Sequence, residues 1–118
     1  KAYEGIKISS GNSFVHETES QVIMNGSYNI NFTMDLVCKD VGLFDDLAKS
    51  MNIPTEISSL ITEIFKKGRD KYGDRAWSSM IVKRLEDACH ADLRADGFPS
   101  ELIDDTPRRE GYEVKIGN

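Results

Sequence analysis

At 118 residues the chain has the size of one ordinary domain, which can bury a single core without the help of disulfides or metal. Its composition, 39% apolar and 30% charged, is typical of a soluble globular protein, and its formal net charge of -5 argues against a nucleic-acid surface. Because no apolar run reaches the roughly 18 residues that cross a bilayer and no signal peptide is evident, we predict a cytoplasmic protein with no membrane partner.

The first third of the chain predicts one short helix. Ser9-Ser10-Gly11-Asn12 breaks the N-terminal segment, and a helix is then expected from Ser13 to Met24. Asn25-Gly26-Ser27 stops that helix, and residues 27–33 are expected to form a loop.

Three long helices are predicted to follow. The first begins near Thr33 or Met34 and runs to about Met51, before the breaker Asn52-Ile53-Pro54. The second begins at Pro54 or Thr55 and ends at Gly73, and the third begins at Ser78 or Ser79 and stops before Gly97. Their expected core residues are Leu36, Val37, Val41, Phe44, Leu47, Ala48 and Met51 in the first, Ile57, Leu60, Ile61, Ile64 and Phe65 in the second, and Ile81, Val82, Leu85, Ala88 and Cys89 in the third.

After Gly97 the pattern becomes irregular. Residues 97–118 are predicted to be a tail that packs along the helices, and a disordered terminus is the alternative. The residues expected to make the contacts are Phe98, Leu102, Ile103 and Tyr112. The resulting fold class is all-α, a multi-helical bundle of residues 1–96 with an irregular C-terminal tail.

Few residues carry recognisable chemistry. Cys38 and Cys89 are expected to be free buried thiols, because no metal-ligand or disulfide spacing accompanies them. Asp45-Asp46 is expected to be a solvated pair, and Ser58-Ser59 is expected to lie at the helix surface. There is no phosphate loop, nucleophile elbow or glycine-rich dinucleotide fingerprint, so no catalytic residue is assigned in this chain and no metal is expected.

Asp40 is the most informative residue, because at about 100° per residue it projects from the centre of the apolar arc of the first long helix. A lone buried carboxylate costs several kcal/mol unless it is paired or hydrogen-bonded, so Asp40 either caps a neighbouring element or builds a site. Lys39 lies on the flank of the same arc. The spacing alone does not decide between these roles.

A family resemblance rests on this same stretch. Phe32, Leu36, the motif Lys39-Asp40-Val41-Gly42-Leu43, the break at Ile53-Pro54 and the second helix ending at Gly73 resemble the C-terminal helical domain of the β-hydroxyacid dehydrogenases. That family includes 3-hydroxyisobutyrate dehydrogenase and extends to 6-phosphogluconate dehydrogenase. The similarity covers roughly residues 5 to 90 and is strongest in 28 to 54.

The resemblance implies a two-domain parent enzyme. Its N-terminal Rossmann domain and catalytic lysine would lie outside this chain, so the chain alone is expected to be inactive. The implied reaction is hydride transfer between NAD or NADP and a small 3-hydroxy acid, with a homo-oligomer as the expected assembly.

The resemblance also implies residue roles. Lys39 matches the lysine that reaches the nicotinamide cofactor, although a flanking surface lysine paired with Asp35 or Asp46 is the alternative. Asp40 and Phe32 match positions that line the substrate pocket in some members, although Phe32 could instead be a core residue.

A second hypothesis is a stand-alone helical interaction module whose apolar face receives a partner helix. An open groove along Leu36, Leu43 and Leu47 would favour the module. A face covered by the chain's own helices, except for a cleft at Lys39, would favour the dehydrogenase domain.

Overall fold

The computed structural model describes residues 1–102 and residue 111, and within that part the chain is all-α. The predicted fold class is therefore confirmed for the described residues. Counted in chain order, the elements are α1 (Ala2–Lys7), α2 (Phe14–Asn25), α3 (Met34–Ser50), α4 (Glu56–Tyr72), a 3-10 turn (Ser78–Val82) and α5 (Lys83–Cys89).

Local signals fix the ends of the helices. Ser13 caps α2, because its Oγ accepts a hydrogen bond from the His16 backbone N–H at 3.0 Å. Gly26 ends α2 with a φ of 90°, a left-handed conformation that glycine adopts without strain. The predicted bounds of α2, α3 and α4 agree with the structure to within one or two residues.

Two features of the helices differ from the prediction. The N-terminal segment, for which no helix was predicted, forms α1, which packs on α2. The third long helix is instead a 3-10 turn followed by the short α5, and it ends at Cys89 rather than just before Gly97. His90 stops α5 by adopting the left-handed conformation, which the sequence does not reveal because the residue is not glycine.

The core lies where α3 and α4 pack against each other and against the 3-10 turn. Met34 and Val22 are completely buried. Gly68 of α4 allows a close approach, because a Cβ built there would lie 2.5 Å from Ile81 Cδ1 and 3.6 Å from the Met34 side chain. The buried stripe of α3 is Met34, Cys38, Asp45 and Ala48.

Most of the large apolar residues predicted to be core are exposed. The buried stripe of α3 is centred about 125° from Asp40, so most of the apolar arc predicted from periodicity points away from α4, while Val41 and Ala48 at the edge of that arc face it. Periodicity identifies an apolar face but does not say whether this chain covers it. The corrected residues are Leu36, Phe44, Leu47 and Met51 on α3, Ile57, Leu60 and Ile61 on α4, and Leu85, Ala88 and Cys89 on α5.

The remaining predicted core residues are covered to different degrees. Ala48 is buried, whereas Val37, Val41, Ile64, Phe65, Ile81 and Val82 are half-buried. Both cysteines are free thiols, but only Cys38 is buried. Its burial raises the pKa of the Cys38 thiol.

The segment after α5 is held against α2 and the loop that follows it. Arg94 donates hydrogen bonds to the Ile23 carbonyl, the Glu86 carboxylate and the Tyr28 hydroxyl. Tyr28 also donates to Glu86, whose side chain is buried. Glu86 and Arg94 therefore fasten this segment through a polar cluster that the sequence did not predict.

Phe98 is the first predicted tail contact that the structure describes. Its ring meets the Tyr3 ring edge-on at 5.3 Å, and its carbonyl accepts a hydrogen bond from the Asn25 side chain at 2.9 Å. Leu102 is half-buried. Ile103 and Tyr112 lie outside the described residues, so the packing of 97–118 as a tail stays a prediction.

None of the helices in the described residues combines the length and the apolar character that crossing a bilayer requires.

Candidate functional site

An open groove of about 800 Å³ lies between α3 and the first turn of α4. Its floor is apolar, and two carboxylates, those of Asp40 and Glu56, lie among its lining residues. None of the lining residues is basic. They are Asp40, Val41, Phe44, Pro54, Thr55, Glu56, Ile57, Ser58 and Ile61.

Asp40 lies in the groove but is not buried. Its side chain is 54% exposed, and Lys39 Nζ lies 3.1 Å from its Oδ1, with the lysine side chain 60% exposed. The expectation of a buried carboxylate was wrong, because the arc that surrounds Asp40 is itself exposed. Its position at the centre of that arc was correct. Since this pair is solvated, it contributes little to stability and leaves both charges accessible to another molecule.

The structure separates Phe32 from the other two predicted site residues. Phe32 precedes α3 and is half-buried, and its carbonyl accepts a hydrogen bond from the Ser78 N–H at 2.8 Å. Phe32 lies before the start of α3 at Met34, and Asp40 lies within that helix. Phe32 does not line the groove.

Asp45 links the two helices that form the groove. It is buried, and its Oδ1 accepts hydrogen bonds from Ser58 Oγ at 2.9 Å and Ser59 Oγ at 2.7 Å. Its Oδ2 accepts from Lys49 Nζ. Asp45 therefore fastens the first turn of α4, which forms one wall of the groove, to α3.

Sequence reasoning missed this contact. Asp45 was expected to be solvated, and Ser58-Ser59 was expected at the helix surface, but the three side chains meet in the α3–α4 packing. A signal was present, since Asp45 lies eleven residues after Met34 and therefore on the same helix stripe. This spacing predicts burial of Asp45 only once the stripe of α3 that holds Met34 is known to be buried.

Asp45 predicts a specific acid dependence of stability. Hydrogen bonds from Lys49, Ser59 and Ser58 lower the pKa of the Asp45 carboxyl from 3.8 to about 2. A group whose pKa is lowered by folding stabilises the folded state above its unfolded pKa, and this stability is lost as the pH falls from about 4 to about 2. We expect Asp45→Asn to weaken the dependence of the urea midpoint on pH in this window.

Asp46→Asn is the matched control for that measurement. Asp46 is the exposed neighbour on the same helix, and no hydrogen bond to its side chain is found within the described part of the chain. Its replacement should leave the pH profile unchanged. Equal slopes for wild type and Asp45→Asn would contradict the proposed role of the buried carboxylate.

The comparisons with known proteins identify relatives over most of the chain. The family model described as NAD-binding of NADP-dependent 3-hydroxyisobutyrate dehydrogenase matches residues 1–85. The chain is 36% identical to 2-(hydroxymethyl)glutarate dehydrogenase of Eubacterium barkeri over 79 residues, which are 66% of this chain and 26% of that protein. It is 31% identical to L-threonate dehydrogenase of Haemophilus influenzae over 81 residues, which are 69% of this chain and 27% of that protein.

A further relative agrees with these. The L-threonate dehydrogenase of Escherichia coli K12 is 28% identical over 81 residues, which are 69% of this chain and 27% of that protein. The chain thus spans about a quarter of the length of the curated relatives it matches. No solved structure gives a significant match.

Proposed function

Since this chain belongs to the family of the NAD-binding region of NADP-dependent 3-hydroxyisobutyrate dehydrogenase, we propose that it is the helical C-terminal domain of an NAD(P)-dependent dehydrogenase. The substrate is a small 3-hydroxy acid. Residues 1–96 form the domain, and residues 97–118 form a tail on it. The Rossmann domain and the catalytic lysine belong to another part of the parent polypeptide, so the chain alone has no dehydrogenase activity.

The family match over residues 1–85 carries this proposal, and the exposed apolar face of α3 and α4 supplies a surface on which another domain can pack. A monomer rarely exposes a contiguous apolar patch larger than a few hundred Å², and larger patches mark interaction surfaces. Here Leu43, Phe44, Leu47 and Met51 of α3 are exposed, as are Ile57 and Leu60 of α4. We assign this face to contact with the Rossmann domain of the same polypeptide.

Lys39 and Asp40 form an exposed ion pair on that face. The Lys39 ammonium is accessible and is a point charge suited to a phosphate, ribose or carboxylate oxygen of a nicotinamide cofactor. Asp40 holds that ammonium at 3.1 Å and is placed to orient a polar group of the substrate. Phe32 keeps its proposed role as a substrate-pocket wall, although it does not line the groove.

The described residues can form one part of a cofactor-binding site but not a complete site. One exposed lysine beside an apolar groove can hold an edge of NAD or NADP, and the two groove carboxylates would repel its phosphates elsewhere. When bound, the cofactor accepts or donates the hydride. The Rossmann domain must therefore supply most of the binding.

The exposure of Leu36, Leu43 and Leu47 is the outcome expected of the module, and not of a dehydrogenase face covered by the chain's own helices, so it favours a second candidate function. It is the open face expected of a stand-alone interaction module that receives a partner helix. In that case the Lys39–Asp40 pair sets partner specificity through charge and has no role in cofactor binding.

The coding sequence upstream of Lys1 separates the two candidates. An in-frame segment encoding a glycine-rich Rossmann turn and a linker helix with a lysine supports the dehydrogenase domain. A start codon directly before Lys1 would overturn it and leave the interaction module.

Kinetics of the complete polypeptide test the role of Lys39. We expect oxidation of a small 3-hydroxy acid with NAD or NADP, and we expect Lys39→Ala to raise the KM for the cofactor about tenfold, which corresponds to about 1.4 kcal/mol. Lys66→Ala, which removes an exposed lysine of α4 outside the groove lining, is the control and should leave KM unchanged. Turnover by the 118-residue chain alone, or an unchanged KM in Lys39→Ala, would contradict the assignment.

The assembly and location are part of the same proposal. We propose a cytoplasmic homo-oligomer, in keeping with the family assignment. A monomeric mass in light scattering at high protein concentration would count against the oligomer.

A further inference from the structure

The groove between α3 and α4 combines an apolar floor with acidic charge. Two of its lining residues are carboxylates and none is basic. Phe44 of α3 and Ile57 of α4 both line it, although their side chains are 59% and 68% exposed. The apolar lining residues are Val41, Phe44, Pro54, Ile57 and Ile61. Such a floor gains free energy when another apolar surface covers it and removes it from water.

Glu56 is the carboxylate of the groove that has no partner among the described residues. The charge of Asp40 is already compensated, because Lys39 Nζ lies 3.1 Å from its Oδ1. For the Glu56 side chain, no hydrogen bond or ion pair is found in residues 1–102. Glu56 lies in the first turn of α4, where the helix dipole favours a negative charge. It is therefore an accessible negative charge that can pair with a cation.

The charge of the groove argues against a phosphate or carboxylate group as its ligand. NAD, NADP and a hydroxy acid are all anionic, and no ammonium or guanidinium group lines the groove to receive them. Lys39 lies beside the lining residues and is not one of them. The groove itself therefore suits a ligand that has an apolar body and a positive charge.

The walls of the groove are held in place by contacts within the chain. Asp45 accepts hydrogen bonds from Ser58 and Ser59 and so joins the first turn of α4 to α3. Within that turn, Ser58 Oγ also donates to Thr55 Oγ1 at 2.6 Å. A surface fixed in this way loses little conformational entropy on binding. An open groove of about 800 Å³ between two packed helices has the shape that accepts one face of a third helix.

We propose that this groove receives a basic amphipathic helix of the Rossmann domain of the same polypeptide. The apolar side chains of that helix pack on Phe44 and Ile57, and a Lys or Arg of the same helix pairs with Glu56. The inference rests on the proposed function, which supplies the partner domain. It adds the groove as the point of contact and positive charge as the feature that selects the helix.

A labelled peptide of leucine and lysine at helical spacing is the probe for this groove. In fluorescence anisotropy we expect the 118-residue chain to bind it about tenfold more tightly than a scrambled peptide of the same composition. Phe44→Ala should weaken binding at least about tenfold, because it removes the largest side chain of the floor. Leu43→Ala, at an exposed position of α3 outside the lining, is the matched control and should leave binding unchanged. Equal affinity for the two peptides, or equal effects of the two substitutions, would overturn the proposal.

A second pair of variants tests the positive charge of the ligand. Glu56→Gln should raise the Kd for the leucine–lysine peptide about fivefold, which corresponds to about 1 kcal/mol. Asp46→Asn removes the same charge from an exposed position of α3 outside the lining, so it should leave the Kd nearly unchanged. Equal Kd values for the two variants would mean that only the net charge of the chain matters, and would reject the pairing with Glu56.

The complete polypeptide tests the proposed occupant. If a helix of the Rossmann domain fills the groove, the complete polypeptide should bind the peptide at least about tenfold more weakly than the 118-residue chain does, because the internal helix competes at a high effective concentration. Equal binding by the two proteins would overturn the Rossmann domain as the source of the helix.

The two proposals fail in different ways. Absence of nicotinamide-dependent turnover by the complete polypeptide would reject the dehydrogenase function and leave the peptide binding by the 118-residue chain standing. Normal turnover, together with equal Kd values for Glu56→Gln and Asp46→Asn, would reject the groove assignment alone.

Discussion

Replacing Arg94 with Ala is expected to lower the free energy of unfolding by about 3 kcal/mol, because it leaves a buried carboxylate without its ion-pair partner. The Glu86 side chain is 2% exposed, and Arg94 Nη1 lies 2.9 Å from its Oε1. Burial would raise the pKa of Glu86, but hydrogen bonds from Tyr28, the Leu93 N–H and Arg94 outweigh it, so its pKa is lowered. The carboxylate therefore stays ionised and depends on these donors.

Urea denaturation at neutral pH measures this effect. Arg75→Ala is the control, because Arg75 pairs with Asp35 at 3.4 Å while its own side chain is 78% exposed. That substitution should leave the urea midpoint nearly unchanged. A similar midpoint for Arg94→Ala and wild type would mean that water replaces the guanidinium at Glu86 without cost.

The cluster of Glu86, Arg94 and Tyr28 also bears on where the folded domain ends. The family match ends at residue 85, so Glu86 and Arg94 both lie beyond it, while their partner Tyr28 lies within it. If Arg94→Ala destabilises the chain as expected, the segment after α5 is an integral part of the folded domain. The boundary proposed at residue 96 would then enclose residues that the family pattern does not cover.

Features set by neighbouring residues could be predicted from the sequence. Ser13, Gly26, Pro54 and Gly73 act on their own turn of chain, so the bounds of three helices followed from them. The partner of Lys39 was not predicted: Asp35 or Asp46 was the expected partner, and the structure pairs Lys39 with the adjacent Asp40. The contact of Tyr28 with Arg94 spans 66 residues and leaves no local pattern.

Burial could not be predicted in the same way, because it depends on which face of a helix another element covers. The apolar arc around Asp40 was read correctly as a face, but α4 packs on a stripe about a third of a turn away, which holds Cys38 and Asp45 and shares only Ala48 with the predicted arc. The groove was missed for a related reason. Its walls come from two helices, and Asp45 joins them through Ser58, which no spacing within either helix indicates.

A pair of alanine substitutions tests this reassignment of the core directly. Met34→Ala should lower the free energy of unfolding by about 3 kcal/mol, because the residue is completely buried and its removal leaves a cavity beside Gly68. Leu47→Ala should change it by less than about 0.5 kcal/mol, because Leu47 is 59% exposed and Ala is at least as good a helix former. A larger loss of stability for Leu47→Ala than for Met34→Ala would support the core predicted from periodicity instead.

Met34→Ala and Leu47→Ala also test whether another surface covers the exposed apolar face of α3 in the complete polypeptide. Leu47 lies in an exposed apolar arc with Leu43 and Phe44. Its side chain stabilises the folded state only when another surface covers it and removes it from water. In the complete polypeptide we therefore expect Leu47→Ala to become destabilising, by about 1 to 2 kcal/mol, while Met34→Ala keeps its cost. An effect of Leu47→Ala that stays near zero in the complete polypeptide would contradict the assignment of this face to the Rossmann domain.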